Sequence, residues 1–209
     1  MRIVFALYDG FTALDAVGPY EVLSRLPGAS VEFAATARGP VRTEGGLTVV
    51  ADAAFADIKK CDLILVPGGP GTRNAVLDGQ GLVTWLRLVH PTAQWITSVC
   101  SGSLILGAAG LLKGLDATTH WSVRKELEAT GATFVPERAV FQGRIVTAAG
   151  VSAGIDMALS LAAHIAGDEA AQAIQLLIEY DPQPPFDSGS LAKAPPEAVG
   201  YLTENLPAG

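Results

Sequence analysis

The sequence predicts an α/β fold, a central and mostly parallel sheet with helices on both faces, in which one cysteine stands on a sharp strand-to-helix turn. Three observations carry this. Short β-branched or aromatic runs alternate with longer helical patterns, as strands joined by crossover helices do. Residues 3–7, 63–66 and 95–99 are near-continuous apolar runs, as expected of parallel strands buried on both faces. The last of these delivers the chain to Cys100, where small residues follow at once and a helix begins.

Taken in order, residues 3–7 form the first strand. Residues 13–26 carry Leu14, Val17, Val22, Leu23 and Leu26 at helical spacing and stop before Pro27-Gly28, which makes them the first crossover helix. Residues 31–36 and 47–50 read as further strands joined through Gly45-Gly46, with an antiparallel turn around 44–46. After the strand at 63–66, helices are expected over 76–89, 101–109, 122–129, 153–166 and 169–179, and strands near 139–141 and 145–148 flank Gly143-Arg144 as a hairpin. From about residue 181 three prolines, Pro182, Pro184 and Pro185, imply an extended, rigid segment over the surface. No repeat or linker divides the chain, so one domain over 1–209 is expected.

Composition removes several classes of function. With 49% of its residues hydrophobic and 17% charged, the chain is globular rather than disordered. Its 21 acidic against 14 basic residues give a formal charge of -7, which repels phosphate backbones and excludes a nucleic-acid partner. The two cysteines, Cys61 and Cys100, cannot make a secreted disulfide framework and lack zinc-ligand spacing, so free thiols in a reducing compartment are expected. The apolar start is too short for a secretory signal and no stretch approaches ~20 apolar residues, which points to a soluble, cytoplasmic protein with no membrane partner.

The chemistry concentrates around Cys100. In Gln94-Trp-Ile-Thr-Ser-Val-Cys-Ser-Gly-Ser103 a strand ends at the cysteine and a helix starts just after it, the logic of a nucleophile elbow. A helix N-terminus lowers a cysteine pKa from ~8.5 into the range of ~3.5 to 7.5, so a thiolate is expected. The structural alternative is a small buried hydrophobe, the commonest state of a free cysteine. A second glycine-rich turn, Leu63-Ile-Leu-Val-Pro-Gly-Gly-Pro-Gly71, ends another central strand at the same sheet edge, where the N–H groups of Gly68 or Gly69, with that of Ser101, can face developing negative charge. Asp15 has two readings: a partner of Thr12 in a capping box, or a carboxyl pointing at Cys100 whose pKa is raised by desolvation and like charge, so that it acts as an acid. Of the three histidines only His120 is placed as a site neighbour, beside Trp121; His90, His164 and Cys61 read as structural.

At this point the residues carry a resemblance. Leu14-Asp-Ala-Val-Gly-Pro19, Val66-Pro-Gly-Gly69, Thr97-Ser-Val-Cys-Ser-Gly-Ser103, Ala117-Thr-Thr-His-Trp121, Gly150-Val-Ser-Ala-Gly-Ile-Asp156 and Glu179-Tyr-Asp-Pro-Gln-Pro-Pro-Phe186 together resemble the isonitrile hydratase branch of the ThiJ/PfpI superfamily over nearly the whole chain. The resemblance implies a flavodoxin-like sandwich, a homodimer, no metal or organic cofactor, and hydration of an isonitrile to an N-substituted formamide. It also implies the roles: Cys100 as nucleophile, Asp15 as carboxylate partner, Ser101 as the hydroxyl residue after the cysteine. That last position departs from the branch, where Thr is expected, and it differs too from peptidase-like members, which place His there. The implied pocket is apolar, walled by Trp121 or Phe186. Two rival functions need the same elbow: a ligand-binding sensor module, and a glyoxalase-type enzyme acting on small dicarbonyls.

Overall fold

The chain opens with strand β1 (Arg2–Ala6), which becomes a central strand of the sheet. The computed structural model describes residues 1–77 and 81–205. Helix α1 (Ala13–Leu23) follows β1 and ends three residues earlier than its periodicity predicts, because the chain turns through Ser24 toward Pro27-Gly28. Strand β2 (Ser30–Ala35) then pairs with β1 in parallel register, Phe5 opposite Phe33. The antiparallel turn at 44–46 is present, but it joins β3 (Gly39–Arg42) to β4 (Thr48–Ala51) in a small separate sheet rather than joining β2 to β4. The first arm of that hairpin had no alternating apolar pattern to reveal it.

A two-residue edge strand, β5 (Ala53–Ala54), precedes the central β6 (Leu63–Val66). The helix expected over 76–89 runs across residues 78–80, which lie outside the described residues; on either side stand α2 (Thr72–Val76) and α3 (Leu82–Val89). Gly81, with φ of +69°, takes a left-handed conformation just before α3. Strand β7 (Trp95–Val99) leads into α4 (Gly102–Ala108). Beyond it come β8 (Asp116–Ala117), α5 (Arg124–Ala129), β9 (Thr133–Phe134), the hairpin of β10 (Ala139–Gln142) and β11 (Ile145–Ala148), α6 (Ala153–Ala166) and α7 (Asp168–Leu177). Residues 181–190 carry no helix or strand and are exposed. A last helix, α8 (Pro196–Asn205), was not anticipated: no residue of it is buried, so it left little apolar pattern to read.

The sheet order β10-β11-β7-β6-β1-β2-β5 is parallel except for β10, with α1, α6 and α7 on one face and α2 to α5 on the other. This is the flavodoxin-like arrangement. The chain leaves β1 toward β2 on one side and returns to β6 on the other, so the crevice between the carboxyl ends of β1 and β6 is the topological switch point, where such sheets bind ligands. A Cβ on Gly18 of α1 would lie 3.0 Å from the Ile155 side chain of α6, and one on Gly154 of α6 would lie 3.1 Å from the Pro19 ring, so the two helices pack in close contact. Among the described residues no helix is long and apolar enough to cross a membrane.

Gly102 shows how tightly the elbow is built. A Cβ there would strike the carbonyl oxygens of Val66 and Pro67, which are backbone atoms and cannot turn aside. Gly102→Ala is expected to destabilise the fold by about 2–4 kcal/mol, read as a lowered urea midpoint at unchanged slope.

Candidate active site

Three turns at the carboxyl edge of the sheet bring the site together. The turn after β1 leads to Asp15 on α1, the turn after β6 brings Gly68 and Gly69, and the turn after β7 is Cys100 itself. Cys100 has φ of +59°, a conformation costly for a residue with a Cβ, of order 1–3 kcal/mol. Its backbone is held there from both sides. The Cys100 N–H reaches the carbonyls of Ala148 (3.1 Å) and Ala149 (2.9 Å), while its own carbonyl accepts from Ser103 Oγ (3.2 Å) and Thr119 Oγ1 (3.1 Å). The elbow read from sequence is therefore present, and the strain it carries is locked by four hydrogen bonds.

Asp15 is fully buried, and its Oδ2 accepts the N–H of Gly68 at 2.9 Å. The capping-box reading fails: the Thr12 side chain makes no cap bond and instead donates to Glu44 Oε1 at 2.8 Å. Burial raises the Asp15 carboxyl to about 7, partly opposed by the Gly68 N–H and by the nearby Cys100 thiol, both of which favour the carboxylate. Its Oδ1 makes no hydrogen bond and is the oxygen open to a proton. The raised pKa expected of a buried acid is thus found, with desolvation as the main cause.

The thiolate expected at Cys100 is not. Burial, followed by the negative charge of Asp15, pushes the thiol up to about 12, outweighing the N–H groups of Ser101 and Val151 and the Ser101 side chain that lie against the sulfur. A helix N-terminus alone favours the thiolate; the tertiary structure adds desolvation and a neighbouring carboxylate, and these win. As pH rises through about 7 the Cys100–Asp15 pair therefore passes from two protons to one, and the proton that remains is on sulfur.

The expected anion-stabilising groups need the same correction. The Gly68 N–H is taken by Asp15 and the Gly69 N–H by Ser101 Oγ at 2.9 Å, so neither is free to receive an oxyanion. Their need for glycine is steric: a Cβ on Gly68 would lie 2.5 Å from the Ser101 nitrogen and 2.9 Å from the Cys100 Cβ. The donors that do face sulfur are the N–H groups of Ser101 and Val151. Val151 was not singled out from sequence. It has φ of +27°, a strained setting for a β-branched residue, and follows Gly150, against which His120 packs so closely that a Cβ would lie 2.7 Å from its ring.

Cys100 and Ser101 form the floor of a cleft of about 790 Å³. His120 and Trp121 line it, as expected, and their rings are 5.3 Å apart. His120 Nδ1 is turned to Ser122, 2.7 Å from its hydroxyl, and burial lowers the imidazole pKa, which favours the neutral ring. Phe186 is not a wall; it stands 77% exposed on the tail. Leu104 of α4, Val76 of α2 and Leu202 of α8 supply apolar lining instead, and Thr12 and Glu44 bring polar groups to the rim. Among the described residues no cluster of three or more His, Cys, Asp or Glu side chains suits a metal ion.

Comparison with known proteins agrees with this geometry. The chain is 43% identical to an isonitrile hydratase of Pseudomonas putida, over 95% of its own length and 87% of that protein's. It is 31% identical over 80% of its length to the HTH-type transcriptional regulator CdhR of Pseudomonas aeruginosa, of which it spans 51%. Among solved structures, a ThiJ/PfpI family protein from Pseudomonas syringae superimposes with a TM-score of 0.93 at 40% identity, covering 97% of this chain and 84% of the other. The model of the DJ-1/PfpI family matches residues 1–164, a span that contains the first helix, both glycine-rich turns, the elbow and Val151. With a family model matching more than half of the chain and a relative 43% identical over nearly its whole length, the chain belongs to the DJ-1/PfpI family.

Proposed function

We propose that this protein is a cysteine-dependent hydro-lyase that adds water to an isonitrile and releases an N-substituted formamide. The observation that carries the reading is the Cys100–Asp15 pair, a protonated thiol beside a carboxyl that ionises near neutrality, at the floor of a largely apolar cleft. The likeness to the Pseudomonas putida isonitrile hydratase supports it. An isonitrile carbon must gain both a nucleophile and a proton, and this pair supplies both.

The steps balance as follows. Asp15 accepts the Cys100 proton at Oδ1 while sulfur bonds to the isonitrile carbon. The same carboxyl then returns that proton to the carbon, giving a covalent thioimidate with Asp15 ionised. Asp15 next takes a proton from water as the oxygen attacks the thioimidate carbon. Asp15 passes that proton to nitrogen; collapse then breaks the carbon–sulfur bond as the hydroxyl becomes the carbonyl, and the hydroxyl proton returns through Asp15 to sulfur, restoring the Cys100 thiol and the Asp15 carboxylate. The N–H groups of Ser101 and Val151 stabilise charge on sulfur as it is expelled. Trp121, Leu104 and Val76 receive the apolar substituent on nitrogen.

The direct test is to incubate the purified protein with an alkyl and an aryl isonitrile and measure formamide, with methylglyoxal run in parallel. Formamide from the isonitrile and no lactate from the dicarbonyl is the expected result; the reverse outcome retires the proposal in favour of glyoxalase-type chemistry. The pH dependence follows from the pair. The starting form needs Asp15 ionised and Cys100 protonated, so kcat/KM is expected to rise through about pH 7. A profile that instead falls through that pH would show that protonated Asp15 is the required form.

The protein acts as a cytoplasmic homodimer in this proposal. The resemblance supports the dimer, as do Leu176 and Leu177 on α7, apolar side chains left 81% and 70% exposed. Two free thiols suit a reducing compartment. Sedimentation at micromolar concentration is expected to give twice 21.6 kDa, and a clean monomer would overturn the assembly.

A further inference from the structure

A chain of buried hydroxyls reaches the sulfur through Ser101. Tyr8, just beyond β1, is fully buried, and its hydroxyl donates to the carbonyl of Pro67 at 2.8 Å. The same oxygen lies 2.9 Å from Thr72 Oγ1, and Thr72 Oγ1 lies 2.9 Å from Ser101 Oγ. Ser101 Oγ in turn accepts the Gly69 N–H, and it also lies within reach of the Cys100 sulfur.

The direction of this chain is set at its far end. A carbonyl can only accept, so the single hydroxyl hydrogen of Tyr8 is committed to Pro67, which has no other donor among the described residues. The bond between Tyr8 and Thr72 then requires Thr72 to donate. Thr72 having spent its hydrogen, the bond between Thr72 and Ser101 requires Ser101 to donate. Reversing the chain would strand the buried Pro67 carbonyl. The alternative acceptor for the Ser101 hydrogen, the carbonyl of Gly69, is at 3.4 Å and makes the longer bond.

We propose that Tyr8, acting through Thr72, is a positioning residue that keeps the Ser101 hydroxyl hydrogen turned away from the Cys100 sulfur. Ser101 then turns a lone pair rather than a hydrogen toward sulfur, which disfavours a thiolate, and only backbone N–H groups remain to receive one. The proton that Asp15 must carry to substrate is thereby kept on sulfur until substrate arrives. The inference rests on Cys100 as the reactive group of the proposed function and needs no particular substrate.

The test is the pH profile of Cys100 alkylation by iodoacetamide in the full-length protein, followed by peptide mapping. The titratable groups around the sulfur are Asp15 on α1, Tyr8 after β1, Glu44 in the β3–β4 loop and His120 after β8. Burial raises the Tyr8 phenol far above its ordinary value, so Tyr8→Phe changes no charge in the usual pH range. In Tyr8→Phe the Thr72 hydrogen is released to Ser101, the Ser101 hydrogen swings to sulfur, and the thiolate gains a donor. The profile is expected to move down by roughly one pH unit, making alkylation near neutrality about three-fold faster once the lower nucleophilicity of the more acidic thiol is included. Thr72→Val cuts the chain at its middle and is expected to give the same displacement, and the double variant no more than either single one. Thr72→Val alone decides the matter if Tyr8→Phe does not fold. Unchanged or slower alkylation in a variant with native melting overturns the proposal, as do displacements that simply add. Because the readout is alkylation, it can fail while isonitrile hydration stands, and the reverse.

Discussion

Cys100→Ala is expected to abolish isonitrile hydration, lowering kcat by at least about 10⁴-fold, while the protein melts at or close to the wild-type temperature. The size of the loss follows from removing the atom to which substrate becomes attached: in a reaction divided into two covalent half-reactions, no other group in the cleft can form the thioimidate. The small effect on melting follows from what holds the elbow. All four hydrogen bonds that fix Cys100 use its backbone N–H and carbonyl, so alanine keeps them. The φ of +59° remains as costly for alanine as for cysteine. Acid-quenched intact mass checks the chemistry independently of rate. Wild-type protein with an isonitrile should gain the mass of one substrate molecule, mapped to Cys100, and the variant should gain nothing. A variant that hydrates at even a tenth of the wild-type rate would remove covalent catalysis from the account.

Asp15→Asn is expected to move activity and stability in opposite directions. Without a carboxyl that can both accept and return a proton, turnover should fall by roughly 10²-fold to 10⁴-fold. The stability change runs the other way above neutral pH. The folded-state value of Asp15, about 7, lies above its ordinary 3.8, so folding favours the protonated carboxyl. That contribution is fully present below about pH 4 and is lost as pH rises through about 7, leaving a buried charge that costs up to about 4 kcal/mol. An asparagine of the same shape still presents an oxygen to the Gly68 N–H and carries no charge to bury. Its urea midpoint should therefore exceed that of the wild type at pH 8 and approach it at pH 5. Thr12→Ala separates this from capping: its side chain caps no helix, so its loss should leave turnover intact and change stability only slightly. Normal turnover in Asp15→Asn would leave Cys100 acting through backbone groups alone.

These two expectations describe one compromise. A carboxyl buried well enough to hold its proton near pH 7 is a carboxyl that opposes folding once it ionises. The same burial disfavours the thiolate, so the site rests as thiol and carboxylate rather than as the reactive anion. In the proposed reaction protons move within the pair, and a permanently ionised sulfur is unnecessary.

Local pattern was enough to read the alternating strands and helices, the central position of β1, β6 and β7, the elbow at Cys100 and the glycine-rich turn at Gly68-Gly69. Each of these is written in a few consecutive residues: an apolar run, a helical repeat, a small residue where two turns nearly touch. The pairing of Asp15 with Cys100 was also legible as one of two readings, because a carboxyl one turn into the first helix can reach the sheet edge. What the sequence could not decide was which partner each polar group finds. Thr12 goes to Glu44 and not to its own helix, Gly68 and Gly69 spend their N–H groups on side chains, and Val151 arrives from a segment far along the chain. Helix α8 reaches the cleft through Leu202 although it buries no residue outright, so no apolar stripe marked it. The protonation state of Cys100 was the largest reversal. A helix N-terminus is a local feature and was visible in the sequence; desolvation by the surrounding core and the charge of Asp15 are sums over the whole fold, and in a low-dielectric interior those sums outweigh the local dipole.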